Sequence, residues 1–467
     1  MRQAYPRITV WTMVRLGLFQ AGLGMMSVLM LGILNRVMIS ELAIPPLVAA
    51  GVIAMHQLVA PARVWFGQLS DAHPIAGTHR TGYVWLGAAA FAFLAWAVVQ
   101  ITWQVAAQIQ GTAVWTGTTW AWVALLGLGF ALYGLAVSAS STPFAALLVD
   151  ISDEDNRSQI VGVVWSLLMV GIIAGAITGS GLLRQVELDA PPEVIRVGMN
   201  RLFTVVPLVV FGLAVVATAG VEAKFSRYRQ RSRIAEREDQ ITLGRALRIL
   251  TASPQTGLFF TFLLCMTLGL FMQEPVLEPY GGMVFNMPIA QTTRLNAYFG
   301  VGTLAGLVLT GFAIVPRLGK RPTTVLGCVL SALAFLGIML AGWLGQVWLF
   351  TGMVLAFGVA SGVTTTGALT LMLDLTLAET AGTFIGAWGL AQALARALST
   401  LCGGGLLELG TRWFGAASFW AYVPVFGTQV LLLVVAATLL RLVDVKAFAE
   451  RTQVTLQQIL AEEFELE

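Results

Sequence analysis

The sequence predicts an all-α integral membrane protein, with twelve transmembrane helices in two pseudo-symmetric six-helix halves. Three observations lead there. Hydrophobic residues fill 57% of the 467 positions and charged residues only 11%, with a mean hydropathy of +0.81, far above that of a soluble protein. Unbroken apolar runs recur at a length of about 20 residues, enough to cross roughly 30 Å of hydrocarbon at about 1.5 Å per residue. Residues of the first half also return in the second at one fixed offset, as an internal repeat requires. A membrane β-barrel fits badly, because its strands alternate apolar and polar residues and these runs do not.

The runs place spans near 14–38, 46–69, 82–101, 119–148, 160–183, 202–221, 257–279, 292–315, 323–342, 347–373, 381–407 and 416–440. The first is too long for a cleavable signal peptide and lacks its processing site. The longest polar segment follows the sixth span and carries eight Lys or Arg. The expected organisation is an N-terminal half, 1–221, a basic cytoplasmic linker, 222–256, a C-terminal half, 257–441, and a tail helix, 442–467. Cys265, Cys328 and Cys402 all lie inside apolar runs, which suits small packing residues better than a disulfide framework.

Orientation follows from the basic residues. With both termini inside, inner segments hold 20 of the 27 Lys and Arg, so both termini are expected in the cytoplasm. Trp103, Trp115, Trp120, Trp122, Trp343 and Trp348 then fall in uncharged outer loops, at the level of an interfacial aromatic belt.

The repeat runs at an offset of 224, pairing Gly134 with Gly358, Leu147 with Leu371, Asp150 with Asp374, Gly162 with Gly386 and Gly179 with Gly403. Two six-helix halves joined by a basic linker make the major facilitator architecture. The loop GQLSDAHPIAGTHR, 67–80, resembles that superfamily's loop signature. Gly67 is placed to let two helices approach, Asp71 to cap the next helix and Arg80 to close an ion pair, with His79 at the usual second basic position. An ordinary polar turn is the plain alternative. DISDEDNRSQIVG adds Asp150 and Arg157 to this cytoplasmic latch; its duplicate DLTLAETAG keeps Asp374 and loses the arginine.

Four stretches narrow the family: LGILNRVMISELAIP (31–45), APARVWFGQLSDAHPIAGTHRTGYVWLG (60–87), LLVDISDEDNR (147–157), and QEPVLEPYGGMVFNM (273–287) with TTRLNAYFGVGTLAG (292–306). Together they resemble the bacteriochlorophyll delivery (PucC/LhaA-type) family, over about residues 15–440. The resemblance implies a membrane factor that carries chlorophyll or bacteriochlorophyll as cargo and delivers it to light-harvesting or photosystem subunits during assembly. It implies no enzymatic turnover and no catalytic cofactor. Chlorophyll synthase and the membrane insertion machinery are the further partners expected, in a thylakoid or intracytoplasmic membrane.

A chlorin cargo asks for an axial ligand to magnesium, a broad apolar surface and hydrogen-bond donors to its carbonyls. In QEPVLEPYGGMVF, 273–285, Pro275 and Pro279 break the seventh span near its outer end, free backbone carbonyls and direct Glu274, Glu278 and Tyr280 inward. Equally, the two glutamates end the span in interfacial water, with Gly281 and Gly282 making the turn. Aligning Pro45 with Pro288 sets Asn35 opposite Glu278, so Asn35, Arg36 and Glu41 share that level, and Arg36 can pair with Glu278 or Glu41. His56 is the one histidine inside a span, as a magnesium ligand or as a hydrogen-bonding contact between helices. Gln273 serves a ring carbonyl or a neighbouring helix. Arg396, alone in an apolar run, needs Glu274, Asp374, backbone carbonyls or a ligand carboxylate.

No phosphate-cradling loop, nucleophile triad or multi-ligand metal motif is evident, which leaves no enzyme mechanism. The basic linker suits an anionic lipid surface rather than nucleic acid. A secondary transporter of a small solute is the alternative from a different class. It should carry polar residues along its first, fourth, seventh and tenth spans; this chain is sparse there, its fourth and tenth spans offering only SASST at 138–142 and TTT at 364–366.

Overall fold

The computed structural model describes residues 8–111, 115–152, 154–187, 190–226, 254–374 and 381–442. Helices account for nearly all of them. They are α1 Val10–Glu41, α2 Pro46–Leu58, α3 Ala62–Ala72, α4 Thr81–Gly111, α5 Gly117–Ile151, α6 Glu154–Leu182, α7 Pro192–Thr218 and α8 Val221–Phe225. After the linker come α9 Pro254–Phe271, α10 Leu277–Phe285, α11 Ile289–Leu318, α12 Lys320–Leu344, α13 Val347–Asp374, α14 Ala381–Phe414 and α15 Val423–Leu442. Among the described residues nine helices are long and apolar enough to cross a membrane; α2 and α9 are shorter apolar helices and α14 runs for 34 residues. Those helices stand at the twelve expected spans. Most of the linker, 227–253, and of the tail, 443–467, lies outside the described residues.

The chain packs as two compact units: Met1–Arg237 with Glu274–Gly300 and Gly403–Ala421, and Glu238–Gln273 with Val301–Cys402 and Tyr422–Glu467. In the first, α1 lies against α6 and α7, α2 against α5, and α4 against α5 and α7. Its core is aromatic at the crossings, where Phe19 and Phe144 approach to 4.3 Å between ring centroids. In the second, α12 lies against α13 and α15, and α9 against α15. The Phe335 ring is tilted against Phe357, at 4.5 Å, and stacked on Phe426, at 6.0 Å. Gln429 of α15 donates to the Gly269 carbonyl of α9 at 2.9 Å, one of the polar ties that join helices where no hydrophobic force separates them from lipid.

The repeat is visible in how glycines seat helices within each unit. A Cβ at Gly87 of α4 would meet Ser140 N of α5 at 2.7 Å, and one at Gly327 of α12 would meet Thr364 N of α13 at 2.6 Å. Ser140 and Thr364 are themselves 224 positions apart. A Cβ at Gly134 would meet His56 Cα at 2.7 Å, and one at Gly302 would meet the Cα of Gly358, the counterpart of Gly134, at 3.1 Å. Small residues let the backbones touch, and the fourth helix of each half meets its neighbours the same way. Gly162 has open space where a Cβ would go, so that member of the repeat has no packing reason.

One end of the first unit is closed by an ion-pair cluster. Arg80 sets Nε 2.9 Å from Asp150 Oδ2, Nη2 2.5 Å from Asp71 Oδ1 and Nη1 2.6 Å from Ser70 Oγ. Burial opposes the charge on Arg80; Asp150 and then Asp71 outweigh it and raise its pKa. Glu222, expected to open the linker, instead folds back from α8 and accepts from the backbone N–H groups of His79 at 2.7 Å and Thr81 at 2.7 Å, and of Arg80 at 3.2 Å. A carboxylate there satisfies the orphan donors at the start of α4 and complements its dipole. Gly67 is not a point of close approach: an added Cβ would meet Thr142 Cγ2 at an ordinary 3.6 Å. The side chains of Arg157 and Asp374 lie outside the described residues.

Two predictions follow from this packing. Gly134→Ala and Gly327→Ala should each destabilise the detergent-solubilised protein by about 1–3 kcal/mol through overpacking, whereas Gly162→Ala should be neutral or slightly stabilising; thermal unfolding with a thiol-reactive dye reads the difference. Arg80→Ala should cost about 3 kcal/mol by stranding buried Asp150, while Asp71→Ala, whose side chain is 53% exposed, should cost less than about 1 kcal/mol.

Candidate functional site

The polar cluster of the first unit grows out of local sequence. α1 carries two π-helical stretches, Val28–Ile33 and Val37–Glu41, with a single α-turn Leu34–Arg36 between them. Such widened turns occur mostly as short bulges, frequently at functional sites, and redirect the side chains beside them. Asn35 and Arg36 sit on that turn, 0% and 1% exposed.

Opposite them, the seventh span ends at Phe271, earlier than the expected 279, and the chain passes through turns at 272–276 into α10. Pro275 and Pro279 explain the break. A helix would give the Pro275 carbonyl to the N–H of residue 279, and Pro279 has none. Asn35 Nδ2 takes that carbonyl instead, at 2.7 Å. Gly281 and Gly282, expected in the turn, are helical, and the reversal falls at Asn286, whose φ of 54° caps α10 in the left-handed region.

Arg36 donates from Nη1 to Thr292 Oγ1 at 2.5 Å and from Nη2 to the Met287 carbonyl at 2.9 Å, and pairs with Glu41 Oε1 at 3.3 Å. Of the two acids open to it in the sequence, Glu41 is the one it bridges. Glu278 is 3% exposed rather than wetted at an interface, and its Oε1 accepts from Asn296 Nδ2 at 2.6 Å.

The crossing of α1 and α10 is reciprocal. A Cβ at Gly282 would lie 2.6 Å from Arg36 Cζ, and a Cβ at Gly32 would collide with Glu278 Oε1. Each helix therefore holds a charged residue and, four positions away on the same face, the glycine that admits the other helix's charge. Gly32, Thr292 and Asn296 complete the cluster without having stood out in the sequence, and Gly282 was expected there only as part of a turn. The available signal was the i, i+4 spacing in GILNR and EPYGG.

The remaining candidates disperse. Tyr280 is fully buried, with its ring edge-on to Phe285 at 5.4 Å, and Glu274 is half-buried. His56 is near the end of α2, half-buried, with Nδ1 2.5 Å from the Ile53 carbonyl of its own helix and its ring 6.5 Å from Tyr133. Gln273 is buried in the second unit. Arg396 is exposed on α14, its guanidinium 3.9 Å over the Phe271 ring, a cation–π contact that sequence reading did not weigh. An apolar recess of about 530 Å³ lies between α1 and α6, lined by Val10, Met13, Val163, Leu167 and Val170 with Gln159 and Ser166.

Solved structures share this fold at low identity. A bacterial homologue of the iron transporter ferroportin, inward-facing, gives a TM-score of 0.66 at 12% identity, covering 96% of this chain and 100% of that one. A D-xylose–proton symporter gives 0.65 at 14%, covering 92% and 95%. The architecture is thus the major facilitator fold. Sequence relatives are nearer. Protein PucC of Rhodobacter capsulatus is 31% identical over 445 residues, covering 93% of this chain and 92% of its own length. The bacteriochlorophyll synthase 44.5 kDa chain of the same organism is 31% identical over 432 residues, covering 91% and 93%. A family model described as PUCC protein matches residues 33–448. With most of its length matched by that family model and by full-length relatives, the chain belongs to the PucC protein family.

Proposed function

We propose that this protein is a membrane assembly factor that binds chlorophyll or bacteriochlorophyll and delivers it to light-harvesting or photosystem subunits as they are built. The observation that carries the reading is the family match across residues 33–448, supported by a relative whose name ties it to bacteriochlorophyll synthesis. The word synthase in that name is not carried over. The role proposed here is binding and hand-over, without turnover.

The physical chemistry supports a greasy cargo. On α5 and α13, two of the helices where a sugar or ion carrier would need polar side chains, the sequence offers only the clusters SASST at 138–142 and TTT at 364–366. The recess between α1 and α6 is apolar with two polar groups at its wall, a surface suited to a ring edge or prenyl tail. His56 on α2 is the candidate magnesium ligand, the one imidazole inside a span. Both termini are assigned to the cytoplasmic side of a photosynthetic membrane, where chlorophyll synthase and the insertion machinery would meet the carrier. The fold likeness to transporters favours the second reading, a small-solute carrier, but one fold hosts many functions.

The test is purification in mild detergent, an absorption spectrum and identification of co-purifying polypeptides. Tetrapyrrole bands accompanied by antenna or photosystem subunits are expected, with the bands reduced several-fold in His56→Ala while thermal unfolding is unchanged. A colourless, solitary protein that moves protons or a solute into liposomes would overturn the reading.

A further inference from the structure

We propose that the α1–α10 crossing is a proton-binding site, with Glu278 carrying a proton while the two helices are packed together. Three observations lead there, none of which depends on what the protein carries.

The first is hydrogen-bond supply. Glu278 Oε1 accepts from Asn296, but Oε2 is buried with no hydrogen-bond partner among the described residues. Asn35, one turn along α1 from Gly32, likewise leaves Oδ1 buried without a donor. Two acceptors of the cluster thus lack a donor, and a proton on Glu278 turns Oε2 into one. The Thr292 hydroxyl, within hydrogen-bond reach of the Glu278 carboxyl, donates its own proton to the Ile289 carbonyl.

The second is charge. Arg36 is within electrostatic reach of Glu278, and it favours an ionised carboxylate there. Yet Arg36 already has an acid, Glu41, and also donates to Thr292 and the Met287 carbonyl. An ionised Glu278 would leave the cluster with one negative charge too many, away from water. Two other arginines of this unit are engaged elsewhere. Arg294 on α11 donates to Ser180 of α6 at 2.9 Å and is exposed, and Arg412 on α14 pairs with Glu408 at 3.0 Å. Glu274 and Tyr280 bring no positive charge.

The third is steric. Gly32 holds the α1 backbone so close that Glu278 Oε1 occupies the place of a Cβ. The carboxyl is enclosed by the crossing itself, so its proton exchanges with water only when α10 lifts from α1. Loss of the proton would place an anion in that enclosure, away from water, and favour separation of the two helices. Proton binding and helix closure are thereby coupled.

Infrared spectroscopy of the purified full-length protein at neutral pH tests this. The carbonyl stretch of a protonated carboxyl is expected in the wild type, lost in Glu278→Gln and kept in Glu274→Gln. Glu278→Gln, a neutral isostere, should unfold at the wild-type temperature. Spectra unaltered by Glu278→Gln, loss of the band in Glu274→Gln instead, or a Glu278→Gln protein that fails to fold would each overturn the proposal. Whether the purified protein carries pigment does not enter any of these readouts.

Discussion

Two glycines and two ionisable side chains hold the candidate site together. Arg36 of α1 lies over Gly282 of α10, and Glu278 of α10 lies over Gly32 of α1. In lipid a helix pair gains nothing from excluding water, so close backbone contact and internal hydrogen bonds must supply the association. The crossing uses both. Glycine brings the helices together, and the side chain from the facing helix fills the space with polar atoms already matched to Thr292, Asn296 and the Met287 carbonyl. The π-helical turns of α1 and the proline break before α10 serve this arrangement, because they turn Asn35 toward a carbonyl that Pro279 cannot use.

The same logic is repeated without charge elsewhere. Gly87 on Ser140 and Gly327 on Thr364 seat corresponding helix pairs in the two halves. What distinguishes the site from these structural crossings is that its side chains ionise. A bilayer tolerates such groups where they are paired or functional. Arg80, with Asp71 and Asp150, is the paired kind, and Glu222 adds a cap that fastens α8 to the loop. Glu278 shares Arg36, which is already bridged to Glu41. That asymmetry separates the α1–α10 crossing from the Arg80 cluster.

Much of this was legible from the sequence. Apolar run lengths located the spans because hydrocarbon thickness fixes helix length. Arg36, Asn35, Glu41 and Glu278 stood out because charge and amide groups are rare in such a chain. Other parts were hidden for physical reasons. Thr292 and Asn296 are unremarkable in composition, and only the fold brings them under Arg36 and Glu278. Gly281 and Gly282 read as a turn, yet Gly282 is helical because Arg36 needs its space. Gly67 read as a contact point, whereas the tight seats are at Gly87 and Gly134. Glu222 read as linker because its partners are backbone donors, which leave no trace in side-chain patterns.

The reciprocal crossing can be measured by a double-mutant cycle. If Gly282→Ala acts by displacing the Arg36 guanidinium, its cost should vanish once that side chain is gone. Thermal stability of Gly282→Ala, Arg36→Ala and the double variant in detergent reads this directly. The account predicts strong non-additivity, with the double variant no less stable than Arg36→Ala alone. Costs that simply add would mean that Gly282 and Arg36 act independently, and would contradict it.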